Sequence, residues 1–162
     1  MSSEDFKKDF NIYAKLIYRE WLMEAIEKNE YESFMKCVLN LGTEWHVIRT
    51  VKKENQKDFC KNLWDNRKNI QNGTYSGWTE SHYDAYSYKS KVCFLINPQY
   101  YKLIYDSKNR DAINEENFKP ANWQDVVDKY YEKDKKEFLK SEKDVLKIFE
   151  IDYYLWNKEK QS

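Results

Sequence analysis

Glycine and proline are scarce: the chain has three glycines and two prolines in 162 residues. Sheets joined by tight turns need these residues at fixed places, so their shortage favours helices over a β-sandwich. Net charge is absent too, with 28 Lys plus Arg against 28 Asp plus Glu. By composition this excludes a strongly basic nucleic-acid binder and an acidic mimic of DNA, so any charge argument must be local. No run approaches the roughly 18 consecutive apolar residues of a membrane span. The first residues, Met1 to Phe6, have neither the basic region nor the apolar region of a secretory signal, and the expected compartment is the cytoplasm.

Cysteine and histidine are equally sparse. Cys37, Cys60 and Cys93 are odd in number, lack Cys-x-x-Cys spacing and sit in apolar-periodic stretches, so buried reduced thiols are expected. His46 and His82 match no ligand pattern, and the sequence calls for no metal and no cofactor. Neither histidine is followed by the x-Thr or x-Ser of two-histidine phosphoesterases. The Gly-rich turns of P-loop, dinucleotide-binding and serine-hydrolase folds are missing as well.

What the chain has in quantity is aromatic side chains, 14 Tyr, 8 Phe and 6 Trp, which supply large buried area and argue against disorder. With 162 residues it is long enough for one domain with a real core. The expectation is an all-α, single compact domain of about seven helices spanning 1–162.

Periodicity places the helices. Residues 4–28 carry Phe6, Phe10, Tyr13, Ile17 and Trp21 in one stripe behind an N-cap at Ser3. Residues 30–41 follow, with Gly42 just past the helix end. The β-branched stretch 43–51 reads as a short helix or an extended piece, with helix favoured by context. A single helix is expected over 54–71, closed by Asn72-Gly73. In the loop 73–78, both Gly73 and Gly77 permit unusual φ. Thr79 caps a helix running from Glu80 to about Ile96, stopped by Asn97-Pro98. Residues 99–105 form a connector, and 106–113 start another helix with Asp106 near its N-terminus. A loop over 114–122 leads to a charged, solvated helix from Trp123 to about Lys140, and the last helix runs over 142–158.

Taken alone, the polar residues of interest have ordinary readings beside functional ones. Lys91 suits an exposed position on an amphipathic helix, Asp106 a helix N-cap, and Arg110 an exposed or ion-paired site. Asp152 falls inside the apolar stripe of Val145, Ile148, Phe149, Leu155 and Trp156. It needs either a Tyr hydroxyl or backbone N–H to bond, or a place in a functional pocket. Glu44, His46 and His82 read as structural. The Lys52-Lys53 pair and the charges of 133–136 read as solvated faces.

Residues 88–110 carry a more specific pattern. Ser90-Lys91 opens it, the apolar run Val92 to Ile96 follows, and Pro98 turns the chain. Leu103, Ile104 and Tyr105 then deliver Asp106 to a helix start, with Ser107 and Arg110 beyond it. This pattern, with the terminal Asp152-Tyr-Tyr-Leu-Trp156, resembles the helix-hairpin-helix DNA glycosylase superfamily, in particular its 8-oxoguanine DNA glycosylase-like branch. The family's Gly-x-Gly-like hairpin is missing, since no glycine lies between Gly77 and Lys91.

The resemblance implies a helical protein that acts on or binds nucleic acid, with or without catalysis. It makes Lys91 the nucleophile and Asp106 the carboxylate near the sugar. An amine attacks deoxyribose C1′ only when unprotonated, and a carboxylate stabilises the positive charge that develops there. Ser90, Ser107 and Asp152 join the binding set, with Arg110 as a phosphate contact and Tyr105 as a base-stacking ring. Trp78, with Tyr83, Tyr86 and Tyr88, would line a pocket for a flipped base. The alternative is a non-enzymatic interaction protein, an inhibitor or accessory factor of the phage or mobile-element type that binds a protein partner. Small chains rich in Lys, Asn, Glu and Tyr are common among such factors. Oligomeric state is left open.

Overall fold

In the computed structural model, residues 2–78, 85–106, 109, 123–134 and 145–158 are described. Among them are eight α-helices and no strand. These are α1 (Ser3–Glu27), α2 (Tyr31–Glu44), α3 (Gln56–Asp65), α4 (Arg67–Asn72), α5 (Tyr86–Ile96), α6 (Pro98–Tyr101), α7 (Trp123–Asp134) and α8 (Val145–Lys158). Helix α1 packs along α2, α5 and α8, which makes an all-α single domain. None of the described helices is long and apolar enough to cross a membrane.

Helix α1 begins one residue earlier than its sequence suggests. Ser2 is the cap, accepting the Asp5 amide at 3.1 Å, and Glu4 and Asp5 lie beside the positive end of the helix dipole. The inward face differs as well. Ile12, Lys15, Tyr18, Leu22 and Ala25 are buried. Phe6, Phe10, Tyr13 and Ile17 are 63, 63, 67 and 59% exposed. The helix carries two apolar-periodic faces, and periodicity alone does not say which one is inside. Lys15 made the true inner face look polar.

Helix α2 buries Phe34, Cys37, Val38 and Leu41. Gly42 lies within it rather than beyond its end, because Tyr88 of α5 crosses there. An added Cβ would stand 2.1 Å from the Tyr88 hydroxyl oxygen, which donates to the Val38 carbonyl at 2.5 Å. After Glu44 the chain turns through His46 at φ 58 into a 3₁₀ turn, Ile48–Thr50.

The expected helix over 54–71 is two helices. They break at Asn66, whose side-chain amide donates to the Asn62 carbonyl at 2.8 Å. Gly73 closes α4 in the left-handed region at φ 73. Gly77 does not share that φ; the Tyr75 ring, 2.7 Å from a would-be Cβ, accounts for it instead.

Helix α5 is the central element. From Tyr88 to Ile96 every residue is buried, as expected of a helix enclosed on all sides. It starts at Tyr86, six residues later than expected, because Ala85 is non-helical; the Thr79 cap and Glu80 to Asp84 lie outside the described residues. The guanidinium of Arg19 caps its far end, donating to the Leu95 and Ile96 carbonyls at 2.7 and 2.8 Å. Asn97 then caps α6, accepting the Tyr100 amide at 3.2 Å with Pro98 in the first turn, so part of the expected connector is helical.

Helix α7 is not simply a solvated helix. Trp123, Val127 and Tyr131 form a second cluster with Leu103, Ile151 and Leu155. The loop at 114–122 and the continuation of α7 toward Lys140 lie outside the described residues. The three thiols are buried and unpaired with one another, as expected, and burial pushes Cys60 up to about 12.

The Gly42 contact gives the first prediction. Alanine normally favours helix over glycine, but here Gly42→Ala must displace the Tyr88 ring. It should destabilise by ~1–3 kcal/mol in urea unfolding. A stability equal to or above that of the unaltered chain would show that the ring gives way freely.

Candidate functional site

The site forms where α5 passes the segment leaving α6. Lys102 ends α6 at φ 63, and Leu103 and Ile104 carry the chain back across α5 to Asp106. Lys91, in the second turn of α5, meets it there. The Lys91 ammonium lies 3.9 Å from Asp106 Oδ2 and donates to Ser87 Oγ at 3.1 Å, and the residue is 8% exposed. Asp106 Oδ1 accepts the Asn109 amide at 2.8 Å, so the helix-capping geometry expected of Asp106 is present as well.

A second acid-base pair lies behind the first. Asp152 of α8 is 2% exposed and Lys15 of α1 is 4% exposed. Lys15 Nζ stands 2.9 Å from Asp152 Oδ2. The other oxygen, Oδ1, accepts the Ile104 amide at 3.0 Å and the Asn109 side-chain amide at 2.8 Å. The Asn109 amide also donates to the Ile104 carbonyl at 2.9 Å. Asp152 thus holds both ends of the short segment that carries Asp106. Its partners are a lysine, a backbone N–H and an amide, where a Tyr hydroxyl or backbone N–H was expected.

These four groups border one cavity of about 300 Å³, flanked by Trp45, Trp156 and His46. Burial pushes Lys91 below the ordinary lysine range; Asp106 and, further off, Asp152 oppose that shift, and the like charge of Lys15 adds to it. Burial pushes Asp106 upward, and the Lys91 ammonium opposes it. Burial thus favours the neutral form of each group, while the charge of each favours the charged form of the other.

The structure therefore brings Lys91, Asp106 and Asp152 together. Ser90, Tyr105 and Trp78 stand apart from them, in a separate cavity of about 380 Å³ walled by Tyr86, Tyr101 and Trp123. Ser90 Oγ accepts the Tyr105 amide at 2.5 Å, which pins the 103–106 segment to α5 from that side. Tyr88, grouped with Trp78 in the sequence, turns to α2 instead. Ser107, Arg110 and Tyr83 lie outside the described residues.

Glu44 accepts the Tyr18 hydroxyl, in keeping with a structural role, and with His46 it borders the Lys91 cavity. Lys15 and Asn109 were not recognised. For Lys15 the signal was available: it sits in the apolar row Ile12, Lys15, Tyr18, Leu22, as Asp152 sits in another, and a buried lysine and a buried carboxylate suit each other. Among the described residues there is no cluster of His, Cys, Asp and Glu that could hold a metal ion.

No protein-family model, curated protein or solved structure matches this chain. The fold alone therefore carries no assignment, and the functional argument rests on this cavity.

Two expected outcomes follow from the geometry. Asp152→Asn leaves the Lys15 ammonium buried without its counter-charge and should cost ~3–5 kcal/mol in denaturant unfolding, whereas the double change Lys15→Met with Asp152→Asn, which removes the buried charge and keeps an acceptor for the Ile104 and Asn109 donors, should recover part of the loss. If the single variant unfolds like the unaltered chain, the pair does not hold the segment. In the second, reductive ¹³C-methylation followed by NMR should show Lys91 titrating below the ordinary lysine range. Asp106→Asn should move its midpoint further down, because the carboxylate is the largest group holding it up. An upward move would contradict the geometry.

Proposed function

We propose that this chain is a DNA glycosylase-like protein whose Lys91 attacks the sugar carbon of a nucleotide, with Asp106 as the charge-stabilising carboxylate. The observation that carries this reading is the buried Lys91 amine held 3.9 Å from Asp106 at the wall of a cavity. Burial lowers the cost of reaching the unprotonated amine, the only form able to attack.

In the proposed step the lone pair of Lys91 forms a bond to C1′, and the bond from C1′ to the base breaks. The base leaves with that electron pair and takes up a proton. Opening of the sugar ring converts the adduct to an imine between Lys91 and C1′. Asp106 stabilises the positive charge on the sugar and accepts the proton that the amine must lose. A cavity of about 300 Å³ is at the lower end of ordinary small-ligand sites, and Trp45 and Trp156 offer flat faces at its edge.

The imine makes the reading testable. Incubation with DNA carrying an abasic site or 8-oxoguanine, in the presence of borohydride, should give a covalent protein–DNA adduct. Lys91→Ala should abolish it, and Asp106→Asn should slow its formation on the order of 10²-fold. No adduct, or an adduct that survives Lys91→Ala, rejects the enzymatic form.

A second reading, a non-enzymatic protein-binding factor, is favoured by the four exposed apolar side chains of α1. Under it, a Lys91→Ala chain keeps its biological effect and a Phe10→Glu chain loses it; the reverse outcome removes this reading.

A further inference from the structure

Phe6, Phe10, Tyr13 and Ile17 are spaced four, three and four residues apart, which is the seam spacing of a helix pair. At 3.6 residues per turn, Tyr13 lies roughly 200° around α1 from the buried Lys15, so the seam faces away from the protein's own core. Packing inside the domain leaves all four side chains more than half exposed.

We propose that this face of α1 pairs with α1 of a second copy of the chain, the two helices antiparallel about a twofold axis between Asn11 and Ile12. Each Phe6 then meets the Ile17 position of the other copy, and each Phe10 meets its Tyr13. A twofold pairing uses the same patch on both copies, so one stripe suffices.

Three observations select this occupant. The first is area. At their present exposure the four side chains offer roughly 500 Å² per chain, so about 1,000 Å² across a pair, which reaches the floor for a specific interface. The second is charge. Glu20 and Glu24 continue the seam spacing beyond Ile17. Parallel pairing would set these acids against their own copies. Antiparallel pairing instead separates Glu20 and Glu24 from their own copies and brings Glu20 to Ser3 of the other copy, where the helix dipole and Lys7 offset the acids Glu4 and Asp5 of the first turn. The third is the net charge of zero, which leaves no long-range repulsion between copies.

Phe6 and Phe10 also border a groove that reaches Trp45 and Trp156, the two rings that flank the Lys91 cavity. Pairing would therefore set the second copy beside the opening of the candidate site.

Sedimentation equilibrium of the full chain, from low micromolar to near-millimolar, tests the proposal. A monomer–dimer equilibrium is expected. Phe10→Glu should weaken it at least about tenfold without loss of helical circular dichroism, because Phe10 is exposed. Orientation is read by cross-linking: Glu20→Cys mixed with Ser3→Cys should form a mixed disulfide on oxidation, and Glu20→Cys alone should not. The native thiols, all buried, do not compete. A monomer at every concentration, a dimer indifferent to Phe10→Glu, or a Glu20→Cys self-link each overturns the proposal. So does a monomer that binds phosphatidylcholine vesicles through this face, which would make it a membrane-surface helix.

Discussion

The ion pair between Lys15 and Asp152 is the constraint on which the site depends. It joins the first and last described helices, residues 137 positions apart, inside the core. An ion pair so deeply buried is a poor source of net stability, since desolvation offsets most of the attraction. Its effect is positional. Once one carboxylate oxygen is committed to Lys15, the other can only serve groups that come to it, and these are the Ile104 amide and the Asn109 side chain. Through them the middles of α1 and α8 determine where the chain between α6 and Asp106 runs. Ser90 fixes the same segment from its other side through the Tyr105 amide.

That arrangement explains the electrostatics next to it. Lys91 feels Asp152 and Lys15 together, one raising its proton affinity and the other lowering it. The pair therefore contributes two opposing effects at Lys91, and burial remains the largest cause of the downward shift. The same logic applies to Asp106, for which Asp152 and Lys15 again act with opposite sign. A neutralised pair behind the site thus gives the fold a rigid polar anchor without fixing the protonation state of the groups that face the cavity. Beside that pair, Lys91 and Asp106, 3.9 Å apart, share the cavity wall with Glu44.

The helices were largely legible in the sequence, because the 3.6-residue period and the scarcity of glycine point the same way for nearly every element. Lys91 and Asp106 were legible as a pair through the pattern of 88–110, and Asp152 through its intrusion into an apolar row. The failures share one physical cause, long-range contact. Gly42 looked like a helix end because the ring that needs its missing side chain lies 46 residues away in Tyr88. Trp78 and Tyr105 looked like neighbours of Lys91, but alternation along the 103–106 segment sends Tyr105 to one side and Asp106 to the other. The outer stripe of α1 looked like the core face because its apolar residues are larger, while the true face was disguised by a lysine whose partner sits in α8.

Helix α1 finally links two properties that seem unrelated. One face supplies Asn11 and Lys15 to the cavity, and the opposite face carries the exposed seam. The helix is 25 residues long, yet its first five residues are all exposed, and the first tie to α8 is Lys8, which donates to the Tyr154 hydroxyl at 3.0 Å. A helix end of that kind frays unless something packs on it. Fraying that reached Asn11 would open the wall of the cavity, and fraying that reached Lys15 would free Asp152 from its counter-charge. Any partner that covers Phe6 and Phe10 therefore steadies the first turns of α1, and with them the inner face. If a second copy occupies the outer seam as proposed, it acts on the order of the inner site through this one helix, with no contact between the seam and the reacting groups required.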